Sequence, residues 1–251
     1  LSREFLGPEI AKPLANYIPV TASITVFDLR CNSLDTESAT MLATIAKEKR
    51  ISLCGITPEQ TEANFCSTKT RFYMKPADAI LLTADLTVRP SITSIDLSEN
   101  YFGPEGAKAL APAIAVNPSL TSIDLSQNYL RYEGAKALAP ALRDSTSLTS
   151  IDLSSNNMGG SFYVKPEALS GGPLEEGAKV QYQGQTVTIL QEEDEDGDIE
   201  ITNIGTLALA NALRVSPSLT SIDLQGNFMK DEGEALLRKA VEGRAGFELL
   251  L

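Results

Sequence analysis

Ser91-Ile92-Thr93-Ser94-Ile95-Asp96-Leu97-Ser98-Glu99-Asn100 reads as a strand running into a turn, and the chain repeats the phrase. Ser119-Leu120-Thr121-Ser122-Ile123-Asp124-Leu125-Ser126-Gln127-Asn128 begins 28 residues later, residues 147–156 begin after another 28, and residues 218–227 carry a further copy. Ile95 and Leu97 alternate with Ser94, Asp96 and Ser98, the signature of a strand buried on one face. A second phrase lies between the copies: Glu105-Gly106-Ala107-Lys108-Ala109-Leu110-Ala111-Pro112-Ala113 returns at residues 133–141. Its apolar residues recur at helical spacing. A constant period of this size predicts stacked strand–turn–helix units, each burying its apolar side against the next. Pro112 and Pro140 fall inside the helical phrase, so each helix is expected to be short or kinked.

The spacing of Leu120, Ile123, Leu125 and Asn128, with the 28-residue period, resembles the leucine-rich repeat family in its ribonuclease-inhibitor-like subclass. The resemblance implies an α/β solenoid shaped as a horseshoe, with a parallel sheet on the concave side and helices on the convex side. It also implies that Asn32, Asn100, Asn128, Asn156 and Asn227 bond to neighbouring backbone as an internal ladder. Register extends the repeats over residues 1–251. Gly7-Pro8-Glu9-Ile10-Ala11-Lys12-Pro13-Leu14-Ala15 matches the helical phrase, residues 24–32 contain another strand phrase, and Ile51-Ser52-Leu53 and residues 61–65 read as degenerate strands. Both ends of the sequence fall inside a repeat without a polar cap, which predicts a segment of a longer chain or ends covered by a partner.

Leu148 and Leu219 stand 71 residues apart, leaving an insertion at about residues 161–203. Lys179-Val180-Gln181-Tyr182, Gln185-Thr186-Val187-Thr188-Ile189 and Ile199-Glu200-Ile201 alternate, and Gly184 and Asp196-Gly197 separate them. The pattern predicts a three-stranded antiparallel meander that needs a surface to pack on. The insertion carries ten acids and two bases, −8 of the chain's net −12. Glu192, Glu193, Asp194, Asp196 and Asp198 concentrate this charge. That disfavours nucleic acid and favours a partner with a basic protein surface; the alternative is a hairpin tip solvated by its own charge. The run from Glu192 also matches the oxygen-bearing positions 1, 3, 5, 7 and 9 of a calcium loop, with Gly at 6. Asn203 at position 12 cannot supply a bidentate carboxylate and the flanks read as strands, so no metal is assigned.

Candidate binding residues follow from the strand phrase. Asp96, Asp124, Asp152 and Asp223 stack between buried positions, with Asp28 in the same register. Thr93, Thr121, Thr149 and Thr220 border the same face. The row is either an anionic stripe for basic groups or a structural feature of the repeat facing water. Tyr101, Phe102, Tyr129, Leu130, Tyr132, Phe228 and Met229 collect in the turn after the Asn, as ordinary packing or as an apolar rim for a partner.

The chain has no His, which removes His-based acid–base catalysis, and no Gly-rich phosphate loop follows a strand. A non-enzymatic role without cofactors is expected. The three cysteines, Cys31, Cys54 and Cys66, form no framework and favour a reducing, intracellular compartment, with Cys54 and Cys66 as a possible pair. No stretch is long enough to cross a membrane as a helix. The expected function is a protein-interaction scaffold or accessory subunit of a large complex. The resemblance leaves two alternatives: the ligand-sensing segment of a nucleotide-oligomerisation-domain type receptor, or a GTPase activator of the Ran type, although no functional residue of the latter matches here.

Overall fold

Alternation of apolar and polar residues over a short stretch favours a strand, and a following run of alanines and leucines favours a helix. The computed structural model, which describes residues 4, 6–20, 24–70, 72–160, 162–191 and 193–251, repeats this pair of elements along the chain. The order is α1 (Ala11–Tyr17), α2 (Thr36–Lys49), β1 (Glu62–Asn64), α3 (Ser67–Thr70), α4 (Pro76–Val88), β2 (Ser94–Asp96), α5 (Gly103–Val116), β3 (Ser122–Asp124), α6 (Arg131–Asp144) and β4 (Ser150–Asp152). There follow β5 (Phe162–Val164), β6 (Lys179–Tyr182), β7 (Gln185–Gln191), β8 (Ile199–Ile201), α7 (Ile204–Val215), β9 (Ser221–Asp223), α8 (Asp231–Ala240) and β10 (Glu248–Leu250).

Six strands form a parallel sheet in the order β1-β2-β3-β4-β9-β10, with helices between successive strands. The register places Ile95, Ile123, Ile151 and Ile222 side by side. These side chains and Leu97, Leu125, Leu153 and Leu224 are buried against Leu110, Leu138, Leu209 and Leu237 of the helices. Because β4 pairs directly with β9, the main sheet passes over residues 162–201 without a break in register. Those residues form a second, antiparallel sheet in the order β5-β8-β7-β6.

The buried Asn side chains tie one repeat to the next. Asn156 donates through Nδ2 to the carbonyls of Leu125, Leu153 and Ser154 at 2.8, 3.0 and 3.1 Å. Its Oδ1 accepts the N–H groups of Asn128 and Leu130 at 2.9 and 3.2 Å. Asn227 does the same for the preceding repeat, reaching Leu153 O and accepting from Asn156 and Met158. Asn32 and Asn100 make corresponding bonds. A turn that leaves the sheet frees backbone groups in the interior, and one amide side chain both donates to and accepts from them.

Three expectations need correction. The proline-containing helices are not short: α5 and α6 each run 14 residues through Pro112 and Pro140. Both prolines are solvent-exposed, so the carbonyl four residues earlier loses its N–H partner where water replaces it. Residues 24–32 do not form a sheet strand. Val26 and Asp28 make single bridges to Ser52 and Cys54. Of the two degenerate strands only the second, β1, enters the sheet. The reason lies on α4. The buried Asp85 carboxylate accepts the Leu53 and Cys54 N–H groups and the Ser52 hydroxyl, and the Arg89 guanidinium donates to Thr25, Arg50 and Ile56 carbonyls. Side chains thus satisfy groups that a ladder would otherwise take up.

Candidate interaction surfaces

In a parallel sheet, residues paired in register point to the same side. Around the buried isoleucines, two rows face outward. One is Asn64, Asp96, Asp124, Asp152, Asp223 and Leu250; the other is Glu62, Ser94, Ser122, Ser150, Ser221 and Glu248. These twelve positions hold six carboxylates and no Lys or Arg. Neighbouring strands lie about 4.8 Å apart, so the carboxylates repel each other. Burial first, and then repulsion from Asp152 and Asp96, raises the Asp124 carboxyl above its ordinary value.

Each aspartate is held by its own turn. Asp96, Asp124, Asp152 and Asp223 accept through Oδ1 from the N–H two residues on, at 3.0, 2.9, 2.8 and 2.8 Å. The Ser98 and Ser126 hydroxyls add bonds to Asp96 and Asp124. Hence the repeat uses the aspartates structurally and still leaves carboxylate edges at the surface. The threonine hydroxyls make a parallel series, Thr93 to Thr61 O, Thr121 to Thr93 O, Thr149 to Thr121 O and Thr220 to Thr149 O. Asp28 leaves the row. It lies outside the sheet and pairs with Arg30 at 2.8 Å.

The aromatic residues of the turn divide by environment. Phe102 and Leu130 are fully buried and belong to the core, as does half-buried Met229 at its margin. Tyr101 and Tyr129 stand on the rim and are joined by Tyr73. The Tyr73 and Tyr101 rings stack with centroids 4.4 Å apart, and Tyr101 and Tyr129 tilt at 5.7 Å. Phe228 is 74% exposed at the matching turn position, separated from the tyrosines by Asn157. Tyr132 is not on the rim; it packs edge-on against Phe162, 4.8 Å away.

That contact seats the second sheet. Val164, Val180, Val187, Ile189, Ile199 and Ile201 form a small core with Ile204 of α7, flanked by Tyr132 and Leu207. The buried Glu200 carboxylate is paired with Lys230 at the start of α8. Gly205 lets the start of α7 come close to the backbone of α6, since a Cβ there would fall 2.6 Å from the Tyr132 carbonyl oxygen. β5, absent from the meander read in the sequence, supplies the fourth strand by pairing with β8.

At the tip, Asp194 Oδ1 accepts the N–H groups of Asp196 and Asp198 at 3.0 and 2.9 Å. Lys165 pairs with Asp198 at 3.1 Å. Glu193, Glu195 and Asp196 are exposed, whereas Glu192 lies outside the described residues. Asn203 is engaged elsewhere, capping α7 by accepting from Gly205 and Thr206. Among the described residues no group of three or more acids or cysteines is arranged to hold a metal, and no helix is long and apolar enough to cross a membrane. Cys54 and Cys66 are buried as separate thiols, so the pairing of Cys54 with Cys66 does not form.

Three surface residues escaped the sequence reading. Glu62 and Glu248 lack the Ser of the repeated phrase, and only the register aligns them with Ser94 and Ser221. Tyr73 precedes Tyr101 by one full period of 28, a signal that was present in the sequence.

A family profile for the leucine-rich repeat matches residues 89–111, 116–139 and 144–161. Among solved structures, the actin-binding site 2 of leiomodin-1 is similar, with 14% identity, 80% of this chain and 89% of that chain covered, and a TM-score of 0.46. No curated protein sequence matches. The profile spans β2, α5, β3, α6 and β4, and these residues carry leucine-rich repeats.

Proposed function

We propose that the chain is a protein-interaction module, a scaffold or accessory subunit, built as a leucine-rich-repeat solenoid curved into a horseshoe. Its strand face receives a basic surface of a partner protein. The carrying observation is the composition of that face, with six acids and no base across twelve outward positions in strict register. Among the described residues no Lys or Arg forms an ion pair with Asp96, Asp124, Asp152 or Asp223. A row of like charges fixed by hydrogen bonds repels itself, and a cationic partner relieves that repulsion on binding.

Residues 161–203 form an inserted acidic lobe that extends the same field. Glu193, Glu195 and Asp196 at its tip attract a basic partner from a distance and raise the rate of encounter. The rim residues Tyr101, Tyr129 and Phe228 add apolar contact, while Tyr132 serves the lobe. The electrostatic part of this reading is tested by titrating the protein with a hexalysine peptide at rising salt. The reading expects binding that weakens steeply with salt and by at least about tenfold in the triple variant Asp96→Asn, Asp124→Asn, Asp152→Asn. Equal affinity of the wild type and the triple variant would remove the strand face as the binding surface.

A further inference from the structure

The tyrosine rim borders a hollow that the repeat itself does not fill. Tyr73, Tyr101 and Tyr129 line a cavity of about 180 Å³ together with Glu99, Asn100 and Gln127. All three rings are about half exposed, at 48, 46 and 53%. The backbone is unusual here. Glu99, Gln127 and Tyr129 hold φ values of 56°, 54° and 57°, in the left-handed region that costs non-glycine residues energy. That conformation is part of what sets the Tyr129 ring and the Gln127 side chain beside the same hollow.

We propose that this hollow is a guanidinium site, occupied by an arginine side chain of the basic partner; the inference rests on the partner assignment above. Charge and shape select the occupant. Among the described residues that line the hollow, Glu99 is the only charged one, so an anion is disfavoured and a cation favoured. Phenol rings present negative π-faces that attract cations. An arginine fits better than a lysine because its planar head stacks on a ring face while its N–H fork reaches a carboxylate. The Tyr101–Tyr129 end is the expected place. There the rings diverge at 40°, whereas Tyr73 and Tyr101 stack closely at 23°. A second hollow of about 220 Å³, which shares Tyr73 and Tyr101 with the first, contains Lys75, which would repel a second cation.

Hexa-arginine and hexalysine peptides, titrated separately against the full chain at low salt by calorimetry, separate this proposal from the broader one. The arginine peptide should bind more tightly, by about two- to fivefold for each ring engaged. The preference should vanish in the double variant Tyr101→Leu, Tyr129→Leu and persist in Tyr101→Phe, Tyr129→Phe, which keeps the rings. Circular dichroism confirms that each variant is folded, and the phenylalanine pair keeps the test decisive if the leucine pair is not. Glu99→Gln should reduce arginine binding more than lysine binding. Equal affinity for the two peptides, or an arginine preference that survives loss of both rings, overturns the guanidinium site while leaving the acidic face intact. Absence of binding by either peptide overturns both proposals.

Discussion

Replacing Asn156 by Ala tests how the repeats are held together. The residue is fully buried, and its amide makes five hydrogen bonds to backbone groups of two repeats. In Asn156→Ala the N–H groups of Asn128 and Leu130 lose this acceptor inside the core, at about 1–3 kcal/mol each. The carbonyls of Leu125, Leu153 and Ser154 lose a donor, a smaller penalty because a carbonyl tolerates under-satisfaction better than an N–H. The sum is about 3–6 kcal/mol, a large share of the 5–15 kcal/mol typical of a folded domain. Asn156→Asp should be comparably damaging, since it keeps the acceptor for both N–H groups but turns a buried charge toward three carbonyls. The adjacent Asn157 is exposed, and Asn157→Ala serves as the control, costing about 1 kcal/mol or less. Urea unfolding followed by circular dichroism measures all three. If Asn156→Ala lowers stability no more than Asn157→Ala does, the ladder does not carry the stacking.

Two further outcomes follow from buried charges. Burial raises the Asp78 and Asp85 carboxyls to about 6, against the bonds they accept from Lys75 and Cys31 and from Ser52, Leu53 and Cys54. A carboxyl raised in the folded state binds its proton more readily there than in the unfolded chain. Its contribution is therefore full below the ordinary value near 3.8 and is lost as pH rises through about 6. Each group should lower stability by up to about 3 kcal/mol between pH 4 and 7, and Asp85→Asn should flatten that slope in urea titrations at a series of pH values. A steeper slope in the variant would contradict the assignment. Separately, Lys230→Ala leaves Glu200 buried without its partner, a loss of about 1–3 kcal/mol because the lysine end is part-exposed. Hydrogen exchange should quicken in β5–β8 and stay unchanged in β2–β4; uniform quickening would mean that the two sheets unfold as one unit.

Much of the architecture was legible because the period is strict where it matters. The strand and Asn positions from residue 91 onward follow from counting, and the parallel register agrees with that count. The upstream part was less legible because β1 and β2 begin 32 residues apart while Tyr73 and Tyr101 keep the spacing of 28. The strand slips against the turn, and the extra residues include α3. The length of α5 and α6 was not legible at Pro112 and Pro140, because sequence shows a missing N–H but not whether water can replace it. The aromatic residues after each Asn look alike in sequence, but they take different environments. Phe102 turns inward, Tyr101 outward, and Tyr132 meets a sheet that is contiguous in space rather than in sequence. Glu62 and Glu248 became part of the acidic face only once pairing had aligned them. The Glu200–Lys230 pair had no local sequence signal, because its two residues lie 30 positions apart.

The central proposal is that a basic partner docks on the strand face. Backbone amide chemical shifts recorded while hexalysine is added report where the cation lands. Docking on the strand face predicts the largest shifts at Ser94–Asp96, Ser122–Asp124 and Ser150–Asp152 and in the turns that follow them, with helices α5 and α6 unmoved. Shifts confined to the tip around Asp196, or spread over α5 and α6, would contradict it.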